Sequence, residues 1–96
     1  MSGQTSEQEK EAKLQEFWER ARKGILKYLQ EKGGSLSLGE LHEYSMNTYF
    51  IQHQRFSLMM ETFVQGNLVE YDDLVQKVTI GQKGKEFIQH IEGHDT

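Results

Sequence analysis

Three stretches of this sequence repeat apolar residues at steps of three and four, and none can bury its stripe alone. The first is Leu14, Phe17, Trp18, Ala21, Ile25, Tyr28 and Leu29; the second is Leu38 and Leu41 with the small Ser45; the third is Phe56, Met59, Met60 and Phe63. A period near 3.6 marks amphipathic helices, and each needs a partner for its apolar side. Two β-prone runs follow, Leu68 to Tyr71 and Leu74 to Ile80, around Asp72 and Asp73. Runs of this kind about a short Asp-containing turn predict a hairpin. Three one-sided helices and a hairpin close one core, which sets the fold class as mainly α with a small β-hairpin.

Punctuation residues set the expected boundaries. Ser6 with Glu9 fits a capping box, so the first helix is expected from about Glu7 to Lys32, roughly 39 Å at 1.5 Å per residue. Lys32, Gly33 and Gly34 stop it. Ser35 to Ser37 is expected as an edge strand, and Ser37 with Glu40 forms a second capping box that opens the second helix. Asn47 and Thr48 interrupt the second pattern, which puts the third helix at about Tyr49 to Gln65, ended by Gly66 and Asn67. A last helix is expected from Gln82 to Glu92, with Phe87, Ile88 and Ile91 apolar. The expected organisation is one domain over residues 7–92, a disordered tail over 1–6 and a short tail over 93–96.

The chain has 96 residues, 35% of them hydrophobic, which suits a single core rather than a disordered polymer. It contains no cysteine, so disulfides, thiolate metal sites and Cys nucleophiles are excluded. No apolar run approaches the roughly 20 residues that span a bilayer. The first 13 residues carry no apolar signal segment, and a cytoplasmic location is the default expectation.

Catalytic and metal signatures are missing. Gly81, Lys83, Gly84 and Lys85 lack the spacing and the Ser or Thr of a phosphate loop. Asp72 and Asp73 form a turn pair with no implied cleft. His90 and His94 stand four apart, but Gly93 lies between them without a zincin-type Glu. No enzyme activity, cofactor or metal is therefore expected. Met46, Met59 and Met60 read as core filler. Of Phe17 and Trp18, one is expected in the core and the other at an interface.

Two longer stretches carry a family likeness. One runs from Leu58 through Gly66 and Asn67 to Tyr71, like the end of a recognition helix turning into a hairpin strand. The other is Val78-Thr79-Ile80-Gly81-Gln82-Lys83-Gly84-Lys85-Glu86-Phe87, similar to a second hairpin strand followed by a "T-x-x-G-x-x-F" helix start, here with a longer Thr-to-Gly spacing. With the order α-β-α-α-β-β-α, residues 17–91 resemble the winged helix-turn-helix superfamily, of the small prokaryotic transcriptional-regulator type. The resemblance implies double-stranded DNA as partner, and a homodimer formed through the first or the last helix. It also implies major-groove contact from Tyr49, Gln52, His53, Gln54, Arg55 and Ser57, with Lys77, Lys83 and Lys85 on the backbone.

Charge points the other way. Net charge is −4, whereas DNA-binding domains draw affinity from neutralising phosphate. Between residues 47 and 81, Arg55 and Lys77 face Glu61, Glu70, Asp72 and Asp73, a local balance of −2. An acidic hairpin tip is repelled by a phosphate backbone. The alternative expectation is a protein-interaction module that docks a basic partner through Glu70, Tyr71, Asp72 and Asp73, without DNA binding.

Overall fold

In the computed structural model, α1 (Ser2–Glu31) is followed by β1 (Ser35–Ser37), α2 (Leu38–Tyr49), α3 (His53–Gln65), β2 (Val69–Asp72), β3 (Lys77–Ile80) and α4 (Gln82–His94). The structure describes the backbone of residues 2–94 and the side chains of residues 9–90. Among the described residues the chain is mainly helical, with four helices and one three-stranded antiparallel sheet in the order β1-β3-β2. No helix among them is long and apolar enough to cross a membrane.

Helix α1 is the hub. Ala21, Ile25, Leu26 and Leu29 are buried on one side of it, and α2, α4, β1 and β3 all pack against it. Gly33 and Gly34, both at positive φ, end it, and the amide of Gly34 donates to the Leu29 carbonyl at 2.9 Å. The helix starts at Ser2, ahead of Glu7, so residues 2–6, expected as a tail, continue it. The sequence before Leu14 is rich in Glu, Gln and Lys and free of proline, so nothing stops the helix at the expected cap. The other tail shortens as well: α4 runs through His94, and residues 95–96, like Met1, lie outside the described residues.

The α2–α3 connection departs from expectation. Ser37 caps α2, its hydroxyl accepting from the Glu40 amide at 3.2 Å. The helix continues through Asn47 and Thr48 to Tyr49, and the left-handed residue is Phe50, at φ 57° and ψ 34°. Its amide donates to the Met46 carbonyl, and the next amide, of Ile51, donates to Ser45. A left-handed conformation costs a bulky L-residue about 1–2 kcal/mol. Burial of Ile51 immediately after the turn offsets that cost. The third helix therefore starts at His53 rather than Tyr49. Phe56, Met59, Met60 and Phe63 face the core as their spacing requires.

The hairpin is shorter than expected. Val69 pairs with Ile80, Tyr71 with Val78 and Asp72 with Lys77, so Asp73 to Gln76 make the turn. Leu74 and Val75, β-prone by type, lie in that turn and outside the strands. The Asp72 carboxylate accepts from the Leu74 amide at 3.0 Å, a local bond that competes with strand pairing.

A ladder of aromatic rings seals the seam between α1 and α2. Trp18 and Phe17 meet edge to face at 5.1 Å, Phe17 reaches Tyr49 at 6.4 Å, and Tyr49 reaches Tyr44 at 6.1 Å. Tyr44 then stacks on Tyr28 at 3.7 Å, with Lys32 over the outer ring. Phe17 and Trp18 are both half-buried, so neither is wholly core nor wholly interface. Gly24 makes the seam possible: a Cβ there would overlap the Tyr49 hydroxyl.

Two predictions follow from this packing. Helix propensity alone favours Gly24→Ala by about 1 kcal/mol, but overpacking against Tyr49 reverses the sign. The variant is expected to lose ~1–3 kcal/mol in urea unfolding, part of it recovered when Tyr49→Phe is combined with it. The second concerns alkali. Burial, and then the neighbouring Tyr49, raise the Tyr44 hydroxyl above its ordinary 10.0. The unfolded chain releases that proton first. Stability is therefore complete below the ordinary value and falls as pH rises through the raised one. Tyr44→Phe is expected to flatten this alkaline loss in unfolding midpoints measured against pH.

Candidate functional site

Helix α3 is held from behind by α2 and β2, which leaves one side of it open. Between that side, the start of α2 and the hairpin lies a groove of about 620 Å³, and Leu38, His42, Phe56, Met60, Val64 and Tyr71 form much of its wall. Ser57, Glu61 and Gln65 line its α3 side. On the other side Tyr71 and Gln76, one on each flank of the hairpin tip, reach into it. A volume of this size is ordinary for a ligand or side-chain pocket, and apolar walls with few polar groups are the usual composition.

His42 sits at the groove's inner end. Its ring lies 5.5 Å from His53, edge to face, and 4.9 Å from Phe56. Its Nε2 is buried and without a hydrogen-bond partner among the described residues. A buried polar atom left in this state destabilises a fold by roughly 1–3 kcal/mol.

The exposed rim is apolar and acidic. On α3, Val64 is 41% exposed in the groove wall, whereas Leu58, 58% exposed, faces a separate depression beside Trp18 and Arg22; at the hairpin tip Leu74 is 95% exposed, and Val75, 64% exposed, lies toward β1. Glu61 lines the groove and Asp73 is exposed in the hairpin turn, while exposed Glu70 and Asp72 alternate with Tyr71 along β2 and so lie on the other face of the strand. Exposed apolar side chains that cluster around a concave wall mark interaction surfaces more often than single ones do.

The residues expected to touch DNA are dispersed. Tyr49 closes α2 and turns its hydroxyl to Gly24 on α1, away from α3. Gln52 caps α3 by position only, and Gln54 is exposed beside it. His53 and Ser57 line the groove. The Arg55 guanidinium lies 5.6 Å from the Trp18 ring, drawn toward α1. Lys77 stands opposite Asp72 in the sheet register. Lys83 and Lys85 are exposed in the first turn of α4. That turn packs beside Leu68, because a Cβ on Gly84 would meet the Leu68 carbonyl. Leu68 follows the C-terminal end of α3, whereas Arg55 belongs to its first turn, and a helix of 13 residues is about 20 Å long. Arg55 and the two lysines thus stand at opposite ends of α3.

Of the four hairpin residues expected to dock a basic partner, Tyr71 is half-buried and lines the groove, while the acidic Glu70, Asp72 and Asp73 are exposed. Sequence reasoning missed Leu58, Val64, Leu74 and Val75. For the α3 pair a signal existed, since both fall off the Phe56–Phe63 stripe. For the turn pair it did not, since their type matches a strand. Met46, expected in the core, is 41% exposed. His90 is exposed, His94 lies outside the described side chains, and no group of three metal-ligating residues occurs among the described residues.

Replacing His42 with Leu removes the orphaned nitrogen and keeps an apolar wall. His42→Leu is expected to raise stability by ~1 kcal/mol, read as a higher urea midpoint at unchanged slope. A lower midpoint would mean that the ring contacts with His53 and Phe56 outweigh the unmet nitrogen. Comparison of the chain with family models, with curated proteins and with solved structures finds no match.

Proposed function

We propose that this chain is a winged-helix domain that works as a protein-interaction module, taking an apolar, positively charged segment of a partner into the groove between α3 and the hairpin. The element order α-β-α-α-β-β-α and the hairpin after α3 support the winged-helix reading. The observation that carries the functional reading is the composition of the open side of α3 and the hairpin tip. Val64 is exposed in the groove wall beside Met60, Tyr71 and Glu61, and Leu74 is exposed at the hairpin tip beside Asp72 and Asp73.

A DNA reader needs the reverse composition. Phosphate contact requires cations on the surface that meets the duplex, and each acid there adds repulsion. The cations nearest the groove have other neighbours: Arg55 has Trp18, and Lys77 has Asp72 across the ladder. A basic peptide meets the acidic rim favourably, and its apolar side chain displaces water from Met60, Val64 and Tyr71. Fully burying one such side chain contributes about 1.5–3 kcal/mol, and ionic contacts at the rim add specificity and association rate.

The test is selection of displayed random peptides on the immobilised domain. Selected sequences are expected to pair an apolar residue with Lys or Arg, and to weaken by about tenfold or more on Val64→Glu or on Asp72→Lys with Asp73→Lys. Saturable binding to mixed-sequence duplex DNA at about 50 mM salt, lost on Gln54→Ala with Arg55→Ala, would overturn the reading in favour of transcriptional regulation through α3.

A further inference from the structure

A second surface lies away from the groove, on α1 and the α2–α3 turn. From Glu9 to Glu16 every side chain of α1 is exposed, Leu14 included at 52%. The buried stripe of the helix begins only at Ala21. Helical segments of about 12–15 residues are marginal in water without tertiary support, and this half of α1 is polar and has no buried side chain among the described residues. It is the part of the fold most in need of a partner.

The charges of α1 say which partner. Glu9, Glu16, Arg20 and Lys27 are exposed and spaced by seven, four and seven residues, which keeps them on one side of the helix. They are arranged symmetrically about Trp18: the two acids stand nine and two residues before it, the two bases two and nine residues after it. Such a pattern complements itself when a second copy runs antiparallel. Glu16 then stands level with Arg20 of the second copy and Glu9 with Lys27, each twice by symmetry. Lys13 and Lys23, which the same axis brings level, lie on opposite flanks of this strip. A self-complementary patch is the requirement of a two-fold interface.

The α2–α3 turn stands at the same level of α1, since Tyr49 reaches Phe17 at 6.4 Å. Phe50, next along the chain, is 82% exposed and left-handed, and Met46, one turn earlier, is exposed too. An aromatic in that backbone conformation is disfavoured, and outside the fold's core nothing in the monomer compensates its exposure. Close to a two-fold axis at the level of Trp18 it would be covered by the same turn of the other copy.

We infer that two copies of this chain associate through antiparallel α1 helices, with the Glu9–Glu16–Arg20–Lys27 strip pairing across the two-fold axis and Phe50 and Met46 covered beside it. This surface is separate from the groove, so the inference stands without the peptide-binding reading.

Sizing by light scattering and sedimentation at about 0.1 mM protein tests it. The full chain is expected to run as a dimer. Arg20→Glu is expected to raise the dissociation constant at least tenfold, and Glu16→Arg combined with Arg20→Glu to restore it, because the swap keeps the pattern self-complementary. Phe50→Asn suits the left-handed position, so it is expected to weaken the dimer while raising the unfolding midpoint of the dilute monomer. This separates loss of docking from loss of folding. A monomer at every concentration, a dimer indifferent to Arg20→Glu and to Phe50→Asn, or a charge swap that fails to restore association would each overturn the inference.

Discussion

Burial of the Ala21–Ile25–Leu29 side of α1 is the contact on which the other elements depend. β1, α2, β3 and α4 pack on that helix directly. α3 leans mainly on α2 and β2, and meets α1 where Arg55 lies over the Trp18 ring. The arrangement has a functional consequence. An element held from behind by two neighbours keeps a free side, and on α3 that side carries Ser57, Glu61 and Val64. The fold spends its strongest hydrophobic contacts behind α3 and leaves the front of it to be defined by side chains alone, which is where interaction specificity is most easily altered without loss of stability.

Three features oppose stability, and they fall on the two candidate surfaces. Phe50 is left-handed and exposed, Leu74 is almost fully exposed, and the His42 nitrogen is buried without a partner. Each is individually affordable for a small domain only because Phe63, Ile25, Leu29, Leu41 and Val78 are sealed in one cluster. Phe50 itself lies outside that cluster, although its turn places Ile51 within it, and the Leu74 side chain is outside it as well. The exposure of the Phe50 and Leu74 side chains is not something the core requires, and local conflicts of that kind tend to mark functional surfaces. Two of them flank the groove and the third lies on the proposed two-fold.

The helices and most of the side each buries were legible in the sequence, because period and burial are the same fact for an amphipathic helix; on α1, Leu14 fits the period yet is exposed, and Leu26 is buried outside the expected stripe. Phe56, Met59, Met60 and Phe63 needed only their spacing, and Gly33 and Gly34 only their backbone freedom. What was not legible came from competition between local preference and long-range burial. Asn47 is the better residue for a left-handed turn, yet the turn falls on Phe50, because burial of Ile51 fixes where the chain must reverse. Leu74 and Val75 match a strand by type, but the register of Asp72 against Lys77 and the Asp72 bond to the Leu74 amide put them in the turn. The groove was illegible for another reason. A periodic pattern says which side of an element is apolar, but a crevice exists only where Leu38, Val64 and Tyr71, from three different elements, converge.

The two proposed surfaces also bear on each other. The groove opens between α3, the start of α2 and the hairpin, whereas the charge strip lies on the part of α1 turned away from the core. Pairing through the strip leaves both grooves of a dimer open and related by the same two-fold. A partner carrying two basic, apolar segments would then meet the second groove at an effective concentration set by its own linker, often in the millimolar range for short flexible ones. A single groove of about 620 Å³ takes only part of such a segment, so affinity per site is bounded. Two-fold repetition through the proposed strip would overcome that bound without enlarging either site, and would make the polar half of α1, exposed from Glu9 to Glu16, the element that sets overall binding strength.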